Sequence, residues 1–260
     1  KMRLPWYTTQ SFFFDKDVNP EGVALGWQQG TNGLFANAYY IDLAERSARA
    51  DSNMAGAQLG WRNDIASGVR LTLAAGYFAH NAVEGYNTVQ DTTLPGNAFG
   101  NSVSAVCRAG ITACIANDFD IFEVAGDLSM TAGGRPLTFF FDYGNNGQAD
   151  FSSATIPSGL DTAWALGFQW GRVTGAKTWE VGYIHQVTEK DALFGQWIDS
   201  DFAAGLTDGS GGAFRFGYGF ARNFRINATY FLNDLANDVA SANGFDVEYK
   251  RLQLDVNMSF

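Results

Sequence analysis

Near its C-terminus the chain alternates strictly. Leu252, Leu254, Val256, Met258 and Phe260 take every second position, with Gln253, Asp255, Asn257 and Ser259 between them. A period of two places the first set on one face of a β-strand and the second on the other. The pattern recurs upstream. Phe224, Ile226, Ala228, Tyr230 and Leu232 alternate with Arg225, Asn227 and Thr229, and Phe214, Phe216, Tyr218 and Phe220 alternate with Arg215, Gly217 and Gly219. Further strands are expected around Trp179 to Ile184, Ala163 to Trp170, Leu137 to Tyr143, Phe122 to Met130 and Val69 to Tyr77.

The N-terminal part is less regular. Val23, Leu25 and Trp27 read as one strand, and Ala57, Leu59 and Trp61 as another. Leu34 to Ile41 is a strand whose facing the pattern leaves open. Trp6 to Phe14 reads as the first strand, although its Phe12-Phe13-Phe14 run defeats an assignment of faces. The total is about 12 strands in a single domain, 1–260.

The connections alternate in length. Arg222-Asn223, Arg172 to Lys177, Ala132 to Pro136, Asn63 to Gly68 and Gly30 to Gly33 are short. Asn233 to Phe245, Glu189 to Gly211, Asn145 to Gly159, His80 to Asp118 and Asp42 to Asn53 are long, and only Asp15 to Gly22 breaks the rule. Short turns at one end and long loops at the other are the arrangement of an antiparallel up-and-down transmembrane β-barrel, with periplasmic turns and extracellular loops.

Composition sharpens that expectation. Charged residues are only 17% and aromatics 15%, with 22 Phe and 30 Gly. No apolar run approaches the ~20 residues of a membrane helix, and the mean hydropathy is slightly negative. Alternation in a membrane barrel produces this averaging. Rings cluster toward strand ends. Trp61, Trp170, Trp179, Phe220, Phe224 and Phe260 are placed at the turn end, and Tyr40, Tyr77, Tyr143, Trp164, Tyr183 and Tyr218 at the loop end. Two such girdles match membrane interfaces. A soluble barrel is disfavoured, because a Phe214-Phe216-Tyr218-Phe220 stripe facing water would invite aggregation. The net charge of −10 argues against nucleic acid as a partner.

Cys107 and Cys114 lie in a Gly/Asn/Thr-rich stretch without a neighbouring His or second Cys pair. A local disulfide in an oxidising compartment is expected, rather than a metal site. No signal peptide precedes Lys1. Export requires one, so the chain reads as processed.

The stretches DTAWALGFQWG (Asp161 to Gly171), WEVGYIHQVTEKDALFGQWIDSDF (Trp179 to Phe202) and GYGFARNFRINATYFL (Gly217 to Leu232) resemble a porin family of Gram-negative outer-membrane β-barrels. The terminal Phe260 likewise resembles the signature read by the outer-membrane insertion machinery. The resemblance covers about 100 residues. It implies a barrel in the bacterial cell outer membrane with channel activity and no catalytic residues. It also implies an N-terminal periplasmic extension, for which these 260 residues offer no match.

On the strand parity the lumen carries Arg62, Arg70, Arg215, Arg225 and Arg251, and Glu123, Asp127, Asp142, Glu180 and Asp255. Basic and acidic walls would filter solutes by charge; the alternative is salt-bridged pairs filling a narrow lumen. The segment His80 to Asp118 either constricts the pore or caps it. The loop carboxylates Glu189, Asp191, Asp199, Asp201, Asp208, Asp234, Asp238 and Asp246 lack the spacing of a Ca²⁺ motif and read as solvated loops. No metal or other cofactor is expected. An enzyme is not expected either: only His80 and His185 exist, and no Ser follows His185 on its strand. Passive diffusion of small solutes or ions is therefore the leading expectation. The alternative is an accessory barrel that partners another membrane or surface protein. Lipid, lipopolysaccharide and a homo-oligomeric neighbour are the expected contacts.

Overall fold

Eleven strands, each antiparallel to the next, form one sheet in the computed structural model, which describes residues 2–10, 14–47, 49–86, 98–235 and 247–259. They are β1 (Glu21–Gln28), β2 (Gly33–Ala44), β3 (Ser52–Ala66), β4 (Val69–Asn81), β7 (Asp120–Ala132), β8 (Arg135–Asn146), β9 (Thr162–Gly171), β10 (Trp179–Thr188), β11 (Gly209–Ala221), β12 (Phe224–Leu235) and β13 (Val247–Met258). A separate hairpin, β5 (Val103–Ser104) with β6 (Cys114–Ile115), lies in the β4–β7 connection. The sheet order follows the chain, with only that hairpin left out. Among the described residues no helix is long and apolar enough to cross a membrane.

Turn chemistry explains one end of the sheet. Gly133 and Gly134 join β7 to β8 with φ of 58° and 72°, the left-handed pair that suits a two-residue hairpin. Arg222-Asn223 joins β11 to β12. The opposite end carries the long connections, including residues 147–161 and 189–208. Most of the turn and loop assignments made from the sequence correspond to these connections; the β12–β13 connection lies outside the described residues.

The first strand is a correction. Residues 6–10 and 14 adopt no strand. Trp6 and Phe14 instead enter the core, at 5% and 2% exposure. The main sheet therefore has eleven strands rather than twelve, with two more in the hairpin. Among the described residues no ladder joins β1 to β13, so hydrogen bonding does not close the sheet.

The sheet is nonetheless curled. Laid flat, eleven strands would be about 48 Å across at ~4.8 Å per neighbour. Yet one continuous apolar cluster takes buried residues from β2 through β4 and β7 through β12, and Ala24 of β1 and Tyr249 of β13 pack against it. Trp6 joins it through Tyr39 and Phe78, with ring centroids 4.7 and 5.3 Å away. The two faces differ in polarity. Outward residues such as Leu25 (79% exposed), Leu59, Phe122, Phe214, Leu252 and Leu254 are apolar and exposed. Inward residues include the fully buried polar side chains Gln58, Thr72, Glu123, Asp142 and Asn233.

β2 has apolar residues on both faces. Phe35, Tyr39, Ile41 and Leu43 point inward and are buried, while Leu34 and Tyr40 point outward. Space for the inward rings comes from glycines on β3. A Cβ at Gly60 would lie 2.0 Å from the Phe35 ring, and one at Gly56 would lie 2.5 Å from the Tyr39 ring. These are cross-strand partners in the ladder, so each ring lies over its opposite glycine.

Candidate functional site

The concave face carries buried polar residues beside the apolar cluster and is crossed by the segment that precedes β1. Gln58 of β3 grips the backbone of Tyr7 twice: its Oε1 accepts from the Tyr7 N–H and its Nε2 donates to the Tyr7 carbonyl, both at 2.8 Å. The Tyr7 hydroxyl donates to Asp127 of β7 at 2.5 Å. Thr9 donates to Asp142 of β8 at 3.4 Å, and Arg215 of β11 donates to the Gln10 side chain at 2.8 Å. Beyond these residues the Asp15 N–H donates to the Trp197 carbonyl at 2.7 Å.

Two cavities flank this segment on the β8–β13 side. One lies toward the loop end, holds about 310 Å³, and is lined by Asp15, Lys16, Glu180, Asp199, Arg215 and Asp255 among others. The second, of about 380 Å³, reaches the turn end through Pro136, Gly171 and Arg172, and is bordered by Tyr7, Asp127 and Thr138. Gln10, Phe140 and Gln169 border both. The first cavity has six carboxylates on its wall, Asp15, Asp17, Glu180, Asp199, Asp201 and Asp255, against two cations, Lys16 and Arg215. Its field is therefore acidic. The side-chain carbonyl oxygens of Asn227 and Gln253 face it without a protein hydrogen-bond partner. Buried oxygens of this kind call for a polar neighbour, so the wall suits a hydrated or polar occupant.

The residues expected to line a lumen separate into groups. Asp127, Glu180, Arg215 and Asp255 border the cavities. Glu123 and Asp142 lie on the concave face of β7 and β8, each 1% exposed, and neither forms a salt bridge among the described residues. Arg70 lies at the turn end and pairs with Asp64 at 2.8 Å. Arg225 borders a separate recess beside the β9–β10 and β11–β12 turns. Arg251 pairs with Asp201 at 2.9 Å. Arg215 shares a wall with Glu180 and Asp255, so opposite charges mingle on β10–β13 rather than occupying separate walls.

The loop end is packed by residues 98–119 against residues 189–208. The Asn101 amide donates to the Leu193 and Lys190 carbonyls at 2.8 and 2.9 Å, and its Oδ1 accepts from the Gly195 N–H at 2.8 Å. The Ser102 N–H donates to Asp191 at 2.8 Å. Phe119, Phe194 and His80 pack together beside these contacts in edge-on and tilted pairs. Burial pushes the Asp191 carboxyl above the usual aspartate range, and bonds from Ser102 oppose the shift. The same desolvation raises Asp199, opposed by the Asp201 N–H.

The expected disulfide is present: Cys107 and Cys114 are bonded with Cα atoms 5.7 Å apart. It clasps the β5–β6 hairpin. No group of three or more His, Cys, Asp or Glu able to hold a metal occurs among the described residues. The loop carboxylates make individual contacts instead, as Glu189 does in accepting from the Thr162 N–H at 2.7 Å. Phe260, Asp238 and Asp246 lie outside the described residues. His80 Nδ1 lies 3.0 Å from the Phe119 carbonyl, and His185 lies beside Trp164 and the Tyr183 hydroxyl.

Sequence reasoning missed Tyr7, Gln10 and Gln58 as interior residues. No protein-family model matches the chain, and no curated protein is significantly similar to it.

Proposed function

We propose that this chain is an outer-membrane β-barrel that passes small solutes or ions by passive diffusion. The observation that carries the reading is the distribution of polarity across the sheet: the exposed face is apolar, while buried polar side chains such as Gln58, Thr72, Glu123, Asp142 and Asn233 lie on the concave face beside the apolar cluster. A water-soluble sheet protein turns polar side chains outward; a bilayer rewards an apolar outer face. A strand of twelve residues such as β13 rises about 28 Å at a tilt of ~40°, which suits the ~25 Å apolar band of such barrels. Lipid and lipopolysaccharide then cover the convex face, and pairing of β1 with β13 removes both exposed edges. The likeness of the Asp161 to Leu232 stretches to a porin family points the same way.

Diffusion is supported by the two polar cavities, which extend from the loop end to the turn end along β8–β13. The accessory-barrel reading draws on a different feature, the dry cluster of Trp6, Phe14, Phe78, Phe119, Phe194 and Trp197 that fills the β2–β7 side. Two measurements in lipid vesicles test the proposal. Backbone amides of β1 and β13 should exchange as slowly as those of central β8 if the edges pair; fast exchange confined to these two strands refutes closure. Vesicles containing the folded protein should release a small trapped solute and retain a dextran; retention of both refutes diffusion.

A further inference from the structure

The two cavities are separated where Gln10, Phe140 and Gln169 border both. Only one of these three lies outside the sheet. Gln10 belongs to the segment before β1, which is fastened to β3 through Gln58, to β7 through Asp127 and to β11 through Arg215. We infer that Gln10, carried on this fastened segment and clamped by Arg215, is the selectivity constriction of the pore. The inference rests on the channel reading above and names the residue that sets its width.

Three features converge on this assignment. The segment is anchored on strands three, five and nine of the eleven-strand order, so it bridges the concavity instead of following one wall. Its anchors are polar side chains on the concave face, leaving the Gln10 carboxamide directed at Arg215 rather than at a neighbour on its own segment. Arg215 borders the acidic cavity, with Asp15, Asp17, Asp199 and Asp201 toward the loop end and Glu180 and Asp255 two ladder positions toward the turn end, so the clamp sets a cation between two sets of carboxylates. A solute entering from the loop end meets carboxylates first, then the Gln10 carboxamide with its guanidinium partner. Small, weakly cationic or neutral polar solutes fit that sequence, and bulky ones stop at Gln10.

Substitutions of opposite size at this position test the inference. Gln10→Ala should raise single-channel conductance about twofold or more, and Gln10→Trp should lower it by a similar factor. Thr138 borders the turn-end cavity beyond the constriction, and Cys107 and Cys114 are bonded to each other. A Thr138→Cys variant therefore carries one free thiol. A membrane-impermeant thiol reagent supplied at the loop end should label it several-fold faster in the Ala background and several-fold slower in the Trp background. Opposite responses would not arise from a general loosening of the fold. A conducting protein whose current and labelling ignore both substitutions overturns the assignment and leaves the channel reading intact. Lack of current in the wild type and in Gln10→Ala alike overturns the channel reading, while the labelling rates still decide for or against Gln10.

Discussion

Placing an arginine at Leu252 tests the polarity of the wall most severely. Leu252 is 61% exposed on the convex face and pairs with Tyr230. It lies at the middle of β13, six residues from Met258 and five from Val247. In a tilted strand this is within about 2 Å of the bilayer midplane. An arginine there costs about 2–4 kcal/mol in a membrane barrel. That corresponds to a roughly 30- to 700-fold loss in the folding equilibrium constant. In water, the same change at an exposed leucine would fall within about 0.5 kcal/mol. The neighbouring Gln253 provides the control, because it faces the opposite way and borders the interior cavity. Gln253→Arg should cost less than about 1 kcal/mol, since charged substitutions facing the lumen escape the lipid penalty. The assay is reversible urea unfolding in lipid vesicles, read by tryptophan fluorescence. Equal costs for the two variants, or no cost for Leu252→Arg, would refute the assignment of the convex face to lipid.

Two further outcomes follow from the loops. Reduction of Cys107–Cys114, or its replacement by serines, should release the β5–β6 hairpin and cost at most about 2–3 kcal/mol, given the short loop it closes; the main sheet should keep its circular-dichroism spectrum, and its loss on reduction would contradict the hairpin's peripheral place. The pH dependence of ion preference has a fixed sign. Burial raises the Asp199 carboxyl, so as pH falls it loses its charge before a free aspartate does, and cation preference should begin to decline at a higher pH than a free aspartate would give. Asp199→Asn should remove that early part of the decline in reversal-potential titrations; an unchanged titration would exclude Asp199 from the ion path.

The C-terminal half was readable because its two faces meet different surroundings. From β8 to β13 the concave side borders polar cavities where inward residues such as Asn227, Gln253 and Asp255 are polar, and the period of two stands out even though Phe140, Ile184 and Phe231 on the same side join the apolar cluster. At β2 the inward side meets Trp6 and Phe78. Both faces are then apolar and the pattern loses its sign. The segment from Trp6 looked like a strand because it is aromatic, yet its backbone at Tyr7 is satisfied by the side chain of Gln58 rather than by a ladder. Long-range partners of that sort leave no local signal. The aromatic girdles needed one revision for a related reason. Tyr218 pairs with Trp179 and belongs at the turn end, because β11 begins as early as Gly209, where the Gly-rich sequence hides the strand. Parity alone assigns residues to the inward face, but it cannot distinguish Asp127, held by Tyr7, from Arg70, paired at the rim with Asp64.

The most direct test of the account is electrical. Purified, folded protein added to a planar bilayer should produce discrete conductance steps. Under a salt gradient the reversal potential should show weak cation preference, as six carboxylates against two cations on the loop-end cavity require. Folded protein that inserts and gives no steps, or steps with clear anion preference, would contradict it.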